Sequence, residues 1–140
     1  MCQVFISADP TLYESRARSV RLHGVATSIR LENLFWQVLE EIAQRDGMAV
    51  VQLIERLYDE LVAARGEVGN FASFLRVCAL RYEAMVAQGR IPADTSVAIR
   101  SLDANSVLHE LPQGWGRPSP AQQPGEARVH TLHTAARRHA

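Results

Sequence analysis

Residues 18 to 31 alternate between apolar and polar side chains, and the pattern changes to a helical period directly afterwards. The members of the alternating set that we expect on one face are Val20, Leu22, Val25, Thr27, Ile29 and Leu31. A period of two residues is typical of a strand with one buried face, and Gly24 marks a break between two short extended pieces. The fold must therefore bury one face of a short β-segment.

Three amphipathic helices are predicted after this segment. The apolar stripe of the first consists of Leu34, Phe35, Val38, Leu39 and Ile42, and Asp46-Gly47 ends it. The second carries Val50, Leu53, Ile54, Leu57 and Leu61 and stops near Gly66. The third carries Phe71, Phe74, Leu75, Cys78 and Tyr82. It begins around Asn70 as the N-cap and is broken by Gly89 and Pro92.

These patterns divide the chain into four parts. Residues 1 to 17 form an N-terminal extension, and residues 18 to 90 form the domain with its third helix. Residues 91 to 111 are a weakly structured extension. Residues 112 to 140 are rich in Pro, Gly, Gln, Arg and His, which predicts a disordered tail. No internal repeat is evident.

The charge of the chain is balanced overall but unevenly distributed. Fifteen arginines offset fifteen acidic residues, which argues against binding nucleic acid by bulk charge alone. Residues 16 to 30 carry four arginines and His23 without any acid, whereas residues 32 to 60 carry seven acidic residues against two arginines. A polarised protein of this kind can bind an anion on one face.

Several classes of protein and of site are excluded by what the sequence lacks. It has no apolar run of the about 20 residues that span a membrane and no signal peptide, so we expect a soluble, cytoplasmic protein. Cys2 and Cys78 are too few for a disulfide framework or a zinc site, and Cys78 is interpreted as core. We interpret His130, His133 and His139 as surface residues. No catalytic motif is present, and we expect no enzyme activity, metal or cofactor.

A short strand and two helices are too little to close a core, because the strand leaves both edges and one face uncovered. Two copies that pair their strands antiparallel, with helices on one face, solve this problem. Ala26, Ser28 and Arg30 then point away from the helices. A two-stranded ribbon fits the major groove, where arginine can bridge guanine O6 and N7 and serine can contact either base type.

The segments Thr27-Ser28-Ile29-Arg30-Leu31-Glu32, Phe35 to Ala43, Gly47 and Leu53-Ile54 resemble the MetJ/Arc-type ribbon-helix-helix DNA-binding family. The wider stretch from Arg18 to Tyr82 resembles a poorly characterised bacterial ribbon-helix-helix subfamily. The resemblance implies a mainly α fold with a short β-ribbon, an added third helix and an intertwined homodimer.

The resemblance also implies a set of DNA contacts. Ala26, Ser28 and Arg30 would contact bases. Backbone amides of Gly47, Met48 and Ala49, at the start of the second helix, would hold a phosphate, and Arg18 and Arg21 would add phosphate contacts. Ala49 and Ala26 depart from the family pattern, since Ala49 offers no side-chain cap and Ala26 offers at most a contact with a thymine methyl.

Two functions follow as hypotheses. The first is a sequence-specific DNA-binding transcriptional regulator, a repressor in the cytoplasm of a bacterium. Its partners are double-stranded DNA and a second copy of itself, with a higher oligomer on DNA left open. The alternative is a protein-interaction module, antitoxin-like or an adaptor, with little DNA specificity. Without the resemblance, Arg30 is interpreted as a solvated surface residue. Trp36 is interpreted as core, and His23 either joins the basic face or caps the turn.

Overall fold

The structure is a computed structural model that describes residues 1 to 109. Its elements, in chain order, are α1 (Cys2–Ile6), a 3-10 turn (Pro10–Tyr13), β1 (Ser15–Leu22), β2 (Val25–Glu32), α2 (Asn33–Arg45), α3 (Val50–Arg65), α4 (Phe71–Ala87), a second 3-10 turn (Ile99–Ser101) and α5 (Ala104–Leu108). The predicted disordered tail and its three histidines lie outside the described residues. None of the helices in the described part is long and apolar enough to cross a membrane.

The two strands form an antiparallel hairpin of eight residue pairs, from Ser15 opposite Glu32 to Leu22 opposite Val25. His23 and Gly24 make the turn, and both have positive φ, 48° and 78°. Two positive φ angles are what a two-residue type I′ turn requires, and its twist matches that of the strands. The partner of β2 is thus β1 of the same chain, whereas the sequence analysis paired this strand with a second copy.

The helical pattern of the sequence is confirmed, with the three predicted helices at α2, α3 and α4. The predicted N-cap at Asn70 is also confirmed, because its side chain accepts a hydrogen bond of 3.1 Å from the Ser73 amide. Gly47 follows α2 with φ 68°, which suits a residue just past a helix end. The helices therefore begin and end where local chemistry predicts.

The inner face of the hairpin packs on the helices to form one apolar core. The buried members of this core are Val20, Leu22, Ile29, Leu31, Trp36, Leu39, Ala43, Val50, Leu53, Ile54, Phe71, Leu75 and Ala79. Trp36, Leu31 and Leu39 have no exposed surface at all within a single chain. One strand and two helices were expected to be too little for a core. A single chain nevertheless forms one, because β1 and α4 cover the faces that β2, α2 and α3 leave open.

Arg45 holds the segment that follows α4 against the rest of the domain. Its Nε donates to the carbonyl of Val97 and its Nη2 to the carbonyl of Asp94, both at 3.0 Å. Its Nη1 donates to the hydroxyl of Tyr82 at 3.1 Å, and that hydroxyl donates to Glu41 at 2.7 Å. Arg45 is thus one of the contacts that attach the chain beyond α4 to the domain.

Candidate nucleic-acid interface

One face of the hairpin points away from the helices. The central part of this outer face consists of Ala17, Ser19, Arg21, Ala26, Ser28 and Arg30, and the pair Ser15 and Glu32 continues the same phase at the open end of the hairpin. All six are exposed, while their neighbours Val20, Leu22, Ile29 and Leu31 are buried beneath them. The predicted outward orientation of Ala26, Ser28 and Arg30 is therefore observed.

The sequence analysis missed the contribution of β1 to this face, apart from Arg21. Ser19 lies directly opposite Ser28, and Ala17 lies opposite Arg30. The alternation of β1 could have indicated these outward residues, because Val20 and Leu22 alternate with polar residues in the same way as the apolar residues of β2. Only the pairing of the two strands within one chain brings the two sets together.

The six central residues of the outer face include two arginines and no acid, and Glu32 at the open end is paired with Arg76. The Arg30 side chain has no hydrogen bond or ion pair to any residue from 1 to 109. Arg21 donates from Nη1 to the carbonyl of Gly24 at 3.4 Å, which is a long contact that occupies one of five donors. Both guanidinium groups therefore have donors available for an external acceptor.

Arg18 lies on the opposite, inner side of the hairpin. Its Nη2 donates to Glu40 Oε1 at 2.5 Å, and its guanidinium lies 5.1 Å from the ring centre of Trp36. Arg16 lies 3.8 Å from the same carboxylate. Arg18 therefore helps to pack β1 on α2, and it shares the single carboxylate of Glu40 with Arg16.

Trp36 is a core residue, as the sequence indicated. Its side chain is fully buried, and its Nε1 donates to the carbonyl of Arg16 at 2.8 Å. This bond satisfies the single polar atom of a buried indole. Trp36 thus fixes the start of β1 on α2, and no ring surface is left for stacking on a base.

The three amides that were predicted to hold a phosphate are already engaged. Gly47 donates to the carbonyl of Gln44, and Met48 donates to that of Ala43, both at 3.0 Å. The amide of Ala49 donates to Gln52 Oε1 at 3.0 Å. Ala49 has no side-chain acceptor, so only this half of a capping box is present. The predicted phosphate site therefore lacks free donors at these three positions.

The free donors lie one step further along α3. The backbone amides of Val50, Val51 and Gln52 lie in the first turn of α3, where a helix provides no internal acceptor. None of the three donates a hydrogen bond to an acceptor within residues 1 to 109. Val51 lines a shallow groove of about 340 Å³ together with Arg21 and Ala26 of the outer face. The N-terminus of α3 therefore lies beside the ribbon.

Glu55 is the acidic residue of this groove. Its Oε1 accepts a hydrogen bond of 3.3 Å from the backbone amide of Arg21. This contact covers part of the open edge of β1. It also places a negative charge next to the β1 half of the outer face, whereas the acid in phase with the β2 half, Glu32, is paired with Arg76.

The turn of the hairpin is attached to α3. His23 Nε2 lies 2.9 Å from Asp59 Oδ1, and the imidazole makes an edge contact with Tyr58 at a centroid distance of 5.1 Å. Tyr58 in turn contacts Phe71 in the same geometry at 5.2 Å. His23 thus serves the turn, one of the two roles left open for it, and it fixes the tip of the ribbon.

No metal centre is evident in the part of the chain that the structure describes, where no three His, Cys, Asp or Glu residues come together. The thiol of Cys78 is half-buried, and this burial raises its pKa to about 11. A thiol that stays protonated at neutral pH is a poor nucleophile and a poor metal ligand. Cys78 therefore acts as a small apolar residue of α4.

The comparisons with known proteins agree with this architecture. A family model described as a ribbon-helix-helix domain matches residues 15–83, which include both strands and most of α4. The chain is also similar to a solved structure of an uncharacterized protein from Bordetella pertussis Tohama I. The two share 66% identity, the match covers 84% of this chain and 96% of that chain, and the TM-score is 0.80. No curated protein gives a significant match. The chain therefore belongs to the ribbon-helix-helix domain family.

Proposed function

We propose that this chain is a sequence-specific DNA-binding transcriptional regulator that acts as a homodimer and inserts a two-stranded antiparallel ribbon into the major groove. The observation that carries this proposal is the outer face, where exposed arginine and serine side chains project from the central part of the hairpin with no acid among these six residues. A two-stranded ribbon has the width that the major groove admits.

The side chains of β2 suit base recognition. Arg30 can donate two parallel hydrogen bonds to guanine O6 and N7, which is the commonest specific contact in the groove. Ser28 can donate to or accept from a base edge, and Ala26 can contact a thymine methyl. Specificity on this strand therefore depends chiefly on Arg30.

The proposed phosphate site moves one step along the chain relative to the sequence prediction. Free first-turn amides and the positive end of the helix dipole make the start of α3 an anion site. Val50, Val51 and Gln52 supply those amides, in place of Gly47, Met48 and Ala49. A phosphate at this position would set the register of the ribbon in the groove, as backbone contacts generally do.

The proposed dimer interface is an apolar groove of about 370 Å³ between α2 and α4. Its lining residues are Leu34, Phe35, Val38, Ala79, Leu80 and Glu83. Leu34 and Leu80 are 45% and 62% exposed, and together with Phe35 and Val38 they form a contiguous apolar patch on two adjoining helices. A second copy that covers this groove would bury both.

Strand pairing between two copies fits less well than this helical interface. Joining two hairpins at β2 would give four strands, which span about 14 Å between the outermost backbones at a spacing of about 4.8 Å. The major groove is about 12 Å wide, so such a sheet could not enter it flat. We therefore propose association through α2 and α4.

The test is selection of bound fragments from random duplex DNA, followed by affinity measurements on selected and random sequences at several salt concentrations. We expect tighter binding to the selected sequence, with log affinity falling linearly as log salt rises. Arg30→Ala should cost about 1 to 3 kcal/mol and relax the preference at one base position. Arg65→Ala, an exposed residue at the opposite end of α3 from the amides, is the matched control. Equal affinity of the wild-type chain for selected and random DNA would refute base readout.

The alternative is a protein-interaction module, antitoxin-like or an adaptor. The exposed apolar groove favours this alternative, because an apolar surface suits a protein partner. The zero net charge also favours it, because a domain that binds nucleic acid is normally basic. DNA binding that is absent at all salt concentrations would support this alternative, since phosphate contacts release counterions and make affinity depend on salt.

A further inference from the structure

The register of the hairpin reveals a short internal repeat that the sequence analysis did not find. Ala17-Arg18-Ser19-Val20-Arg21-Leu22 in β1 matches Ala26-Thr27-Ser28-Ile29-Arg30-Leu31 in β2, with Ala, Ser, Arg and Leu identical and Val replaced by Ile. Six residues are too short for the repeat to stand out in the sequence. It becomes meaningful because the two copies are paired strands.

The pairing relates the two copies by a local twofold axis. Ser19 lies opposite Ser28, so the axis passes between the two serines. On one side of it Arg21 lies opposite Ala26, and on the other side Arg30 lies opposite Ala17. Rotation about this axis therefore exchanges Arg21 with Arg30 and leaves the outer face unchanged in residue type.

The inner face follows the same symmetry. Val20 corresponds to Ile29 and Leu22 corresponds to Leu31, and all four are buried. Arg18 corresponds to Thr27, and this is where the symmetry ends, because Arg18 contacts Glu40. Both strands thus present the same alternation, with apolar residues toward the helices and Ala, Ser and Arg outward.

We propose that one chain carries a complete base-reading ribbon, in which Ser19 and Arg21 contact bases in the same way as Ser28 and Arg30. The ligand is a short stretch of duplex DNA with an approximate inverted repeat. This inference rests on the proposed DNA-binding function. It changes the role of Arg21 from a phosphate contact to a specificity-determining residue.

The spacing of the two arginines sets the geometry of the site. Four residues separate their positions along the ribbon, which is about 14 Å at a strand rise of about 3.4 Å per residue. Base pairs are stacked about 3.4 Å apart, so the two contacted guanines lie roughly three to four base pairs apart. The twofold axis places these guanines on opposite DNA strands.

The two halves of the ribbon are not equal in charge. Glu55 lines the groove beside Arg21 and accepts a hydrogen bond from its amide. The acidic residue in phase with Arg30 is Glu32, and its carboxylate is already bound by Arg76. We therefore expect the contact made by Arg21 to be the weaker of the two.

The experiment repeats the selection from random DNA with the full chain and with Arg21→Ala, Arg30→Ala and Arg65→Ala. Each of the first two should abolish one base preference, at positions related by inversion and three to four base pairs apart. Affinity for the selected sequence should fall by about 5- to 150-fold for each arginine, and Arg65→Ala should match the wild type. Circular dichroism and thermal melting check that each variant is folded.

Arg21→Lys separates base contact from charge. Lysine keeps the positive charge but cannot form the two parallel bonds of a guanidinium. We expect this variant to lose the base preference while the salt dependence stays unchanged. The inference is overturned if Arg21→Ala weakens all sequences equally and Arg21→Lys restores affinity, because both results describe a phosphate contact. It is also overturned if Arg21→Ala changes nothing. If the wild-type chain shows no base preference, the proposed function itself fails.

Discussion

Arg45 is a charged residue with 6% of its surface exposed, and the chain uses all three of its nitrogens. Two of them donate to backbone carbonyls about fifty residues further along the sequence, at Asp94 and Val97. These bonds are part-buried, and a guanidinium that donates to several acceptors at once can be buried with its N–H groups satisfied.

We expect Arg45→Met to destabilise the fold by about 2 to 4 kcal/mol, because methionine fills a similar volume but leaves the acceptors without a donor. The measurement is the urea midpoint of unfolding. Arg100→Ala is the matched control, since Arg100 is exposed and contacts Asp46 through its backbone amide, which the substitution keeps. A midpoint for Arg45→Met within error of that control would show that the contacts contribute nothing to stability.

At the level of single residues, the sequence predicted orientation better than contacts. Alternation alone placed Ala26, Ser28 and Arg30 on one exposed face, and the structure has them there. The same alternation puts Arg18 in phase with Val20 on the inner face, but its charge suggested an exposed position. Its partners Glu40 and Trp36 lie about twenty residues away, and no local pattern could indicate them.

The end of β2 is joined to α4 by an ion pair between two secondary-structure elements. Arg76 Nε donates to Glu32 Oε2 at 2.8 Å, and its Nη2 donates to Oε1 at 3.1 Å. This bidentate contact with Arg76 holds the pKa of the Glu32 carboxyl below its ordinary value of 4.5. The pair therefore fixes the point where the ribbon passes into α2.

This lowered pKa predicts a pH dependence of stability. The contribution of the Glu32 carboxylate is fully present above pH 4.5 and is lost as the pH falls through the lower pKa of the folded chain. Urea unfolding of the wild type should therefore lose more stability between pH 7 and about pH 3 than unfolding of Glu32→Gln. Glu60→Gln, an exposed residue of α3, serves as the control and should behave like the wild type. Parallel losses in Glu32→Gln and the wild type would exclude a role for the pair.

The sequence located the helices, but it predicted the strands without their pairing. The period of 3.6 residues, the N-cap Asn70 and Gly47 located α2 to α4, because these signals are local. Strand alternation indicated two extended pieces but did not identify their partner, since pairing depends on register and turn geometry. His23-Gly24 was the available sign of a hairpin, as two residues between alternating segments favour a tight turn.

At the scale of the whole molecule, the net charge is zero, but the arginines differ in whether an acidic side chain lies beside them. Glu40 lies within 4 Å of both Arg16 and Arg18 on the inner side, whereas Arg21 and Arg30 face outward. Counting charges along the sequence could not separate these two groups. Within residues 1 to 109, the positive charge of the outer face is thus carried by Arg21 and Arg30.

The proposed dimer can be tested through Leu80. Leu80→Glu should convert a dimer to a monomer in sedimentation experiments, because it places a charge in the apolar groove between α2 and α4. The monomer should remain folded, since the core of one chain is already buried. Leu108→Glu changes another exposed leucine outside this groove and should leave the mass unchanged. A dimer that persists in Leu80→Glu would place the interface elsewhere.

The hairpin has a consequence for how the recognised DNA can change during evolution. When a ribbon is built from two identical chains, every substitution appears on both strands and the palindrome is preserved. Here β1 and β2 occupy separate stretches of one gene, from Ser15 to Leu22 and from Val25 to Glu32. A codon change in one strand leaves the other as it was, so under the proposed function the short sequence read by each ribbon could change from an inverted repeat to an asymmetric one, one base at a time.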